Sequence, residues 1–254
     1  MNFPDFSLAG EKAIVTGSSK GIGRGIALAL AHAGADVVVT SRDAARAEPV
    51  AQEIRQMGRA ALSLALDVTD VTSIDRMVSQ VRDRFDRIDI LVNNAGINIP
   101  EAAVEVTEAQ WDAVLDTNLK GLFFCAQRVG RLMLEQGHGK IVNVASQMGF
   151  VGGRLRAAYC SSKGGVVQLT KVLAIEWSRH GVNVNAVAPT FIRTPLTEPM
   201  FEDETFRQEV LSKIPLGRIG EVEDVVGPVI FLASSAADLI TGETLLVDGG
   251  WVAW

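Results

Sequence analysis

Tyr159 is the only tyrosine of the chain, and it stands four positions before Lys163 in Tyr159-Cys160-Ser161-Ser162-Lys163. In a helix this spacing is about one turn, so the phenol and the ammonium share a face. A cation beside a phenol favours the phenolate and lowers a pKa of about 10, which would make the hydroxyl a proton donor and acceptor near neutral pH. Such a pair suits redox or elimination chemistry at a carbonyl or an alcohol, although a surface tyrosine lying on a lysine stem has the same spacing. Ser146, at the tip of the run Ile141-Val142-Asn143-Val144-Ala145, adds a hydroxyl that can donate to a substrate oxygen as negative charge develops there. Asn118 falls on the apolar stripe Trp111, Leu115, Leu122, Ala126, where an amide needs partners; a satisfied buried asparagine that kinks its helix is one reading.

These residues must be held by a scaffold, and the chain alternates β-branched runs with amphipathic stretches from end to end. Strands are expected over 13–16, 36–40, 61–66, 88–92, 140–145, 183–187 and 244–247, and helices over 22–33, 44–57, 71–85, 108–135, 157–178 and 223–233. Continuous apolar strands such as Val37-Val38-Val39 suit a sheet covered on both faces. The pattern predicts one α/β domain over 1–254, a doubly wound, mostly parallel sheet of about seven strands with helices on both faces. At 254 residues the chain can bury a large core. The segment 191–216 breaks the rhythm; long polar excursions of this kind are usually lids, and it is the expected substrate cover.

Composition narrows the partners. A net charge of −6, spread without long runs, disfavours nucleic acid and anionic membranes, whose phosphates require a basic face. No stretch of 18 apolar residues occurs, and Met1-Asn2-Phe3-Pro4-Asp5-Phe6 lacks the pattern of a leader, so a soluble, cytoplasmic protein is expected. Two cysteines, Cys125 and Cys160, are too few for a disulfide framework, and Cys160 reads as a buried packing thiol. No metal site is expected.

In open α/β sheets ligands bind beyond the carboxyl ends of the strands. Those ends carry Thr16-Gly17, Ser41-Arg42, Asp67, Asn93-Asn94-Ala95-Gly96, Ser146 and Pro189-Thr190. Between the first strand and the first helix lies Thr16-Gly17-Ser18-Ser19-Lys20-Gly21-Ile22-Gly23. Glycines there allow a tight turn and close approach of a pyrophosphate, for which a helix N-terminus supplies free N–H groups and partial positive charge.

Over essentially its whole length the chain resembles the short-chain dehydrogenase/reductase family. The resemblance rests on Thr16-Gly17-x-x-x-Gly21-Ile22-Gly23, Asp67-Val68, Asn93-Asn94-Ala95-Gly96, Asn118, Ser146, Tyr159-x-x-x-Lys163 and Asp248-Gly249-Gly250, in that order. It implies a Rossmann-type fold, a nicotinamide cofactor and a catalytic tetrad of Asn118, Ser146, Tyr159 and Lys163. It further implies that Lys163 also reaches the nicotinamide ribose, that Asn118 holds a water linking Lys163 to solvent, and that Asp67 caps the adenine end. Ser19, Ile22, Val68, Asn94, Ala95, Gly96, Pro189, Ile192 and Thr194 complete the implied cofactor contacts. One departure is Pro189-Thr190 where the family usually has Pro-Gly; the threonine adds a hydroxyl facing nicotinamide or substrate.

An NAD enzyme of this design places an acidic residue at the end of strand two. Here that position reads Thr40-Ser41-Arg42, and Lys20 sits in the glycine-rich turn, so NADP(H) is favoured over NAD(H), provided that Asp43 does not bind Arg42 away. Candidate substrate contacts are Asn98, Ser146, Gln147, Arg154, Arg156 and Arg193. Together with Phe6-Ser7-Leu8-Ala9-Gly10, which is similar to the family's sugar-acid and polyol dehydrogenases, they point to a small polar substrate: a sugar, sugar acid or polyol. A 3-oxoacyl-thioester reductase is the competing enzyme, and a non-catalytic NADP-binding redox sensor is the reading from another class. A homotetramer is expected from the small residues on the Tyr159 helix, the apolar ones on the Asn118 helix and the ending Gly250-Trp251-Val252-Ala253-Trp254.

Overall fold

A computed structural model describes residues 5–253; Met1–Pro4 and Trp254, which entered the leader and assembly expectations, lie outside the described residues. Seven strands, β1 (Lys12–Val15), β2 (Asp36–Ser41), β3 (Ala61–Ala65), β4 (Ile90–Asn93), β5 (Gly139–Val144), β6 (Val182–Pro189) and β7 (Thr244–Val247), form one sheet. Their order is β3-β2-β1-β4-β5-β6-β7 and every neighbouring pair is parallel. The chain reverses direction across the sheet between β1 and β4, which opens a crevice at their carboxyl ends.

The pleat sorts the strand side chains into two cores. Ala13, Val15, Val37, Val39, Ile90 and Val92 pack on one face with α1 (Gly21–His32), α2 (Ala44–Gln56) and α8 (Val222–Ala233). Ile14, Val38 and Leu91 point to the other face, against α3 (Val71–Phe85), α5 (Leu122–Gln136) and α6 (Ala157–Trp177). This is why the strands read as continuous apolar runs rather than alternating ones.

Two elements differ from the sequence expectation. The helix expected over 108–135 is α4 (Glu108–Leu115) and α5 joined by a π-helical segment, Asp116–Gly121, that contains Asn118. A Cβ on Gly121 would lie 2.5 Å from the Val68 carbonyl oxygen, so glycine lets the widened turn rest against the loop after β3. The excursion 191–216 carries structure of its own, the 3-10 turn Glu198–Glu202 and α7 (Glu204–Ser212). Its Phe201, Val210 and Ile214, with Ile219, form a separate small core against Phe191, Phe206 and Trp251.

Below the site, Asn93 Nδ2 donates to Asn143 Oδ1 at 3.0 Å and Asn143 Nδ2 to Thr170 Oγ1 at 3.0 Å, tying β4, β5 and α6 through a buried polar chain. At the opposite rim, ligand atoms of Glu11, Asp89 and His138 lie within 4.8 Å of one another. Asp89 is already held there by Arg87 at 3.0 Å and the Lys12 N–H at 2.8 Å. Among the described residues, no helix is long and apolar enough to cross a membrane.

Candidate active site

The glycine-rich turn is shaped for an anion. Gly17 and Gly21 have φ of 64° and 57°, where a side chain is strained. A Cβ on Gly23 would fall onto Asn94 Nδ2 and within 2.5 Å of the Gly17 oxygen. Lys20 caps α1 with extended backbone and no side-chain bond, leaving the N-terminal N–H groups without a side-chain partner. Thr16, at the start of the turn, and Asn94, just past β4, tie the turn to the neighbouring strand end. Thr16 Oγ1 accepts from the N–H groups of Asn94 and Ala95 at 2.9 and 3.0 Å, and Asn94 Nδ2 donates to the carbonyls of Thr16 and Gly17 at 2.9 and 3.0 Å. The free N–H groups and the cradle that a Cβ would fill fit a dinucleotide pyrophosphate.

Arg42, just past β2, and Lys20, in the glycine-rich turn, are exposed, and among the described residues neither forms an ion pair. Asp43 does not take Arg42 away: its Oδ1 caps α2 by accepting from the Ala45 N–H at 3.0 Å, and its Oδ2 lies 4.0 Å from Arg46. Asp67 lies below the ordinary carboxylate range, chiefly because Thr69 donates to it from hydroxyl and backbone, with a smaller contribution from Arg42. Only Oδ1 is used in those bonds.

Ser146, Tyr159 and Lys163 come together beyond β5. Ser146 Oγ donates to Gln147 Oε1 at 2.8 Å, accepts from the Met148 N–H at 3.2 Å and lies close enough to Tyr159 to act on its ionisation. Lys163 Nζ donates to the Val144 carbonyl at 2.7 Å and lies 5.7 Å from the centre of the Tyr159 ring. The sequence expectation of a lowered phenol pKa is corrected here. Loss of hydration raises Tyr159 above its ordinary value; the neighbouring Ser146 hydroxyl and then the Arg156 charge oppose that rise without overcoming it. The same burial pushes Lys163 down to about 8. Spacing places the two groups together, but enclosure sets the direction of their titration.

Asn118 is fully buried, and its amide is largely spent on structure. Oδ1 accepts from the Ile97 N–H at 2.8 Å, while Nδ2 donates to the Ile97 carbonyl at 2.8 Å and to Ser162 Oγ at 3.1 Å. This is the satisfied asparagine that was one reading of the sequence, although it bends its helix through a π turn. A Cβ on Gly96 would sit 3.2 Å from Asn118 Oδ1 and 3.8 Å from Lys163 Nζ, so Gly96 keeps the space between them open.

The candidate substrate residues separate. Arg193 is exposed and bound to Glu198 at 2.8 Å and Glu221 at 3.2 Å. Arg154 is exposed, and its charge acts on Glu209 of α7. Arg156 is half-buried, with its guanidinium 5.8 Å from the centre of the Phe191 ring. Gln147 is buried against Ser146. Asn98 Oδ1 and Thr190 Oγ1 are buried with no partner, the latter on the threonine that replaces the family's glycine. Thr194 lies over the glycine-rich turn, its Cβ 3.6 Å from where a Gly21 Cβ would be. Ile192 is buried at the start of the excursion. Sequence reasoning missed Phe191, which follows Thr190 and carries both Arg156 and the aromatic cluster. Cys160 is half-exposed rather than buried, whereas the enclosed Cys125 thiol is pushed up to about 12.

A doubly wound parallel sheet with an anion cradle after β1 and a serine, tyrosine and lysine beyond β5 defines a dinucleotide-binding oxidoreductase. The chain matches the family model described as Enoyl-(Acyl carrier protein) reductase over residues 17–252. It is 46% identical over 248 residues to the 2-dehydro-3-deoxy-D-gluconate 5-dehydrogenase of Bacillus subtilis (strain 168), covering 98% of this chain and 97% of that protein. It is 41% identical over 241 residues to the 3-oxoacyl-acyl-carrier-protein reductase of Staphylococcus aureus (strain N315), covering 94% of this chain and 97% of that one. It superposes on a gluconate 5-dehydrogenase from Burkholderia cenocepacia J2315, solved in complex with NADP and tartrate, with a TM-score of 0.96 and 37% identity over 99% of this chain and 98% of that chain. The chain belongs to the short-chain dehydrogenase/reductase family, as an NAD(P)-dependent oxidoreductase acting on CH–OH groups. This sets aside the non-catalytic sensor.

Proposed function

We propose that the chain interconverts a secondary hydroxyl of a small sugar acid and the corresponding ketone, with NADP(H) as its preferred cofactor. The observation that carries the chemistry is the convergence of Ser146, Tyr159 and Lys163 beside the glycine-rich turn. The relatives named for 2-dehydro-3-deoxy-D-gluconate and gluconate dehydrogenation support the substrate class, as do the hydrogen-bonding groups of Asn98 and Gln147. The unpaired Lys20 and Arg42 suit a 2′-phosphate, and the related structure holds NADP.

The cofactor's pyrophosphate would lie on the turn formed by Gly17, Ser19, Lys20, Gly21, Ile22 and Gly23. Ser41, Arg42, Asp67 and Val68 would hold its adenosine half. Asn94, Ala95, Gly96, Pro189, Thr190, Ile192 and Thr194 would line its nicotinamide half. When bound, the nicotinamide ring accepts or donates the hydride. The chain's own residues manage the proton. Ser146 Oγ, turned from Gln147, donates to the reacting oxygen. Tyr159 takes the hydroxyl proton in oxidation and returns it in reduction. Its burial makes an isolated tyrosinate costly, so Lys163, still charged below about 8, must share that negative charge. Asn118 fixes Ile97, and the remaining Oδ1 lone pair can hold a water between Lys163 and solvent. The 191–216 segment covers the substrate.

The shallow apolar groove of Leu115, Leu119, Phe123, Gly165 and Leu169, with Val172 and Ile175 exposed on α6, suits self-association, and we propose a homotetramer. A monomer at micromolar concentration in light scattering overturns that assembly. The 41% identity to an acyl-carrier-protein reductase favours 3-oxoacyl-thioester reduction as the second reading. A panel of gluconate, other sugar acids, polyols, ketones and 3-oxoacyl thioesters with NADP(H) and NAD(H) separates the two. Turnover confined to thioesters refutes the sugar-acid proposal.

A further inference from the structure

We propose that Arg156 is the residue that selects an anionic substrate, its guanidinium taking the carboxylate of the molecule whose hydroxyl reacts at Tyr159. The inference rests on the sugar-acid reading and assigns its specificity to one side chain.

Arg156 carries an unbalanced charge. The partly buried arginines of the described chain are Arg24, Arg59, Arg128, Arg156 and Arg207. Arg24, Arg128 and Arg207 have carboxylates, on Glu53, Asp75 and Glu204, and Arg59 donates to the Gly34 carbonyl. Among the described residues Arg156 has neither an ion pair nor a side-chain hydrogen bond. Withdrawing a guanidinium from water without a partner costs free energy, and an arriving anion would recover it. Glu101, whose backbone pairs with that of Arg156, turns its Oε1 to the Ala102 N–H at 2.9 Å instead.

The position of Arg156 is built rather than loose. It precedes α6 by one residue, and the adjoining Leu155 accepts from the Glu101 N–H at 3.0 Å while holding a φ of 60°, a left-handed conformation that a leucine rarely adopts. Phe191 lies beneath the guanidinium at 5.8 Å, and among the described residues the fork of donors meets no acceptor. The side chain is close enough to Tyr159 for each to act on the other's ionisation. The fork suits a carboxylate, and the orphaned acceptors Asn98 Oδ1 and Thr190 Oγ1 suit the hydroxyls of a polyhydroxylated chain.

The test compares gluconate with glucitol, which replaces the carboxylate by an uncharged alcohol, in the wild type, Arg156→Gln and Arg156→Lys. A charge-assisted bond predicts that Arg156→Gln loses about tenfold to a hundredfold in kcat/KM for gluconate, mainly through KM, and at least about tenfold less for glucitol. Arg156→Lys should recover part of the loss. NADP(H) binding measured by fluorescence verifies that both variants are folded. Because Tyr159 is the only tyrosine, tyrosinate absorbance reads it alone, and Arg156→Gln should titrate at higher pH than the wild type. A wild type that prefers no acid over its neutral analogue overturns the sugar-acid reading and this inference together. A wild type that prefers gluconate, with the same acid-to-neutral ratio in Arg156→Gln, overturns this inference alone.

Discussion

The side chain of Asn94 acts as a clamp on the glycine-rich turn, and its removal has a calculable cost. Nδ2 donates to the carbonyls of Thr16 and Gly17 at 2.9 and 3.0 Å, while the Asn94 N–H holds Thr16 Oγ1 independently. Asn94→Ala deletes the first two bonds and leaves the third. At about 0.5–1.5 kcal/mol net per bond the loss is about 1–3 kcal/mol, the lower end applying if water fills the gap. For a chain of this size that corresponds to roughly 2–12 °C in Tm. The same energy sets an upper limit of roughly fivefold to 160-fold on the rise in NADP(H) Kd, because the freed turn must be reordered when the pyrophosphate binds. Asn94→Asp is the sharper variant. It keeps the shape but directs a carboxylate oxygen at two carbonyl oxygens, so it should bind cofactor more weakly than Asn94→Ala. Thermal unfolding and cofactor fluorescence measure both effects. Unchanged Tm and Kd in Asn94→Ala, or a milder effect from Asn94→Asp, would show that the amide is not the clamp described.

Three further outcomes are expected. Tyr159→Phe should bind NADP(H) normally yet lose about 10²–10⁴-fold in kcat, the usual worth of a general acid–base, and substantial turnover would remove Tyr159 from that role. Arg42→Asp should raise the Kd for NADP by roughly tenfold to a hundredfold and affect NAD far less, whereas equal losses for both would mean that Arg42 does not meet the 2′-phosphate. Lys163→Met should be inactive but more stable than the wild type near neutral pH. The folded lysine at about 8 lies below the unfolded 10.5, so the unfolded chain binds more protons between these values and this group's penalty is relieved as pH rises. The Tm advantage of the variant should therefore narrow from about pH 8 towards pH 10; an advantage that widens would reverse the assigned shift.

Period and turn chemistry made the scaffold legible because both are local. The strand expectations fell within two residues of the observed ends, since continuous apolar runs such as Val37-Val38-Val39 have no other stable place than a sheet covered on both faces. The helix α7 was missed although Phe206, Val210 and Ile214 recur at a helical interval; the polar residues around them made the excursion read as a loop. The π segment has no local signature, because it depends on Gly121 meeting Val68 and Asn118 meeting Ile97, both remote in sequence. Tyr159 and Lys163 show the same limit for chemistry. Their spacing could be read directly, but the direction of each titration follows from how far the fold excludes water.

The arginines carry this furthest. Arg154, Arg156 and Arg193 look equivalent as charges near a site, and composition offers no basis for choosing among them. The fold distributes their partners unequally: Glu198 and Glu221 neutralise Arg193, solvent surrounds Arg154, and Arg156 is drawn half out of water over Phe191 with no ion pair among the described residues. A charge that the fold pairs internally is already neutralised, whereas one that it desolvates without a partner gains from an anion that arrives from outside. If Arg156 selects the substrate as proposed, specificity in this site depends less on which charges the sequence supplies than on which of them the fold leaves unpaired.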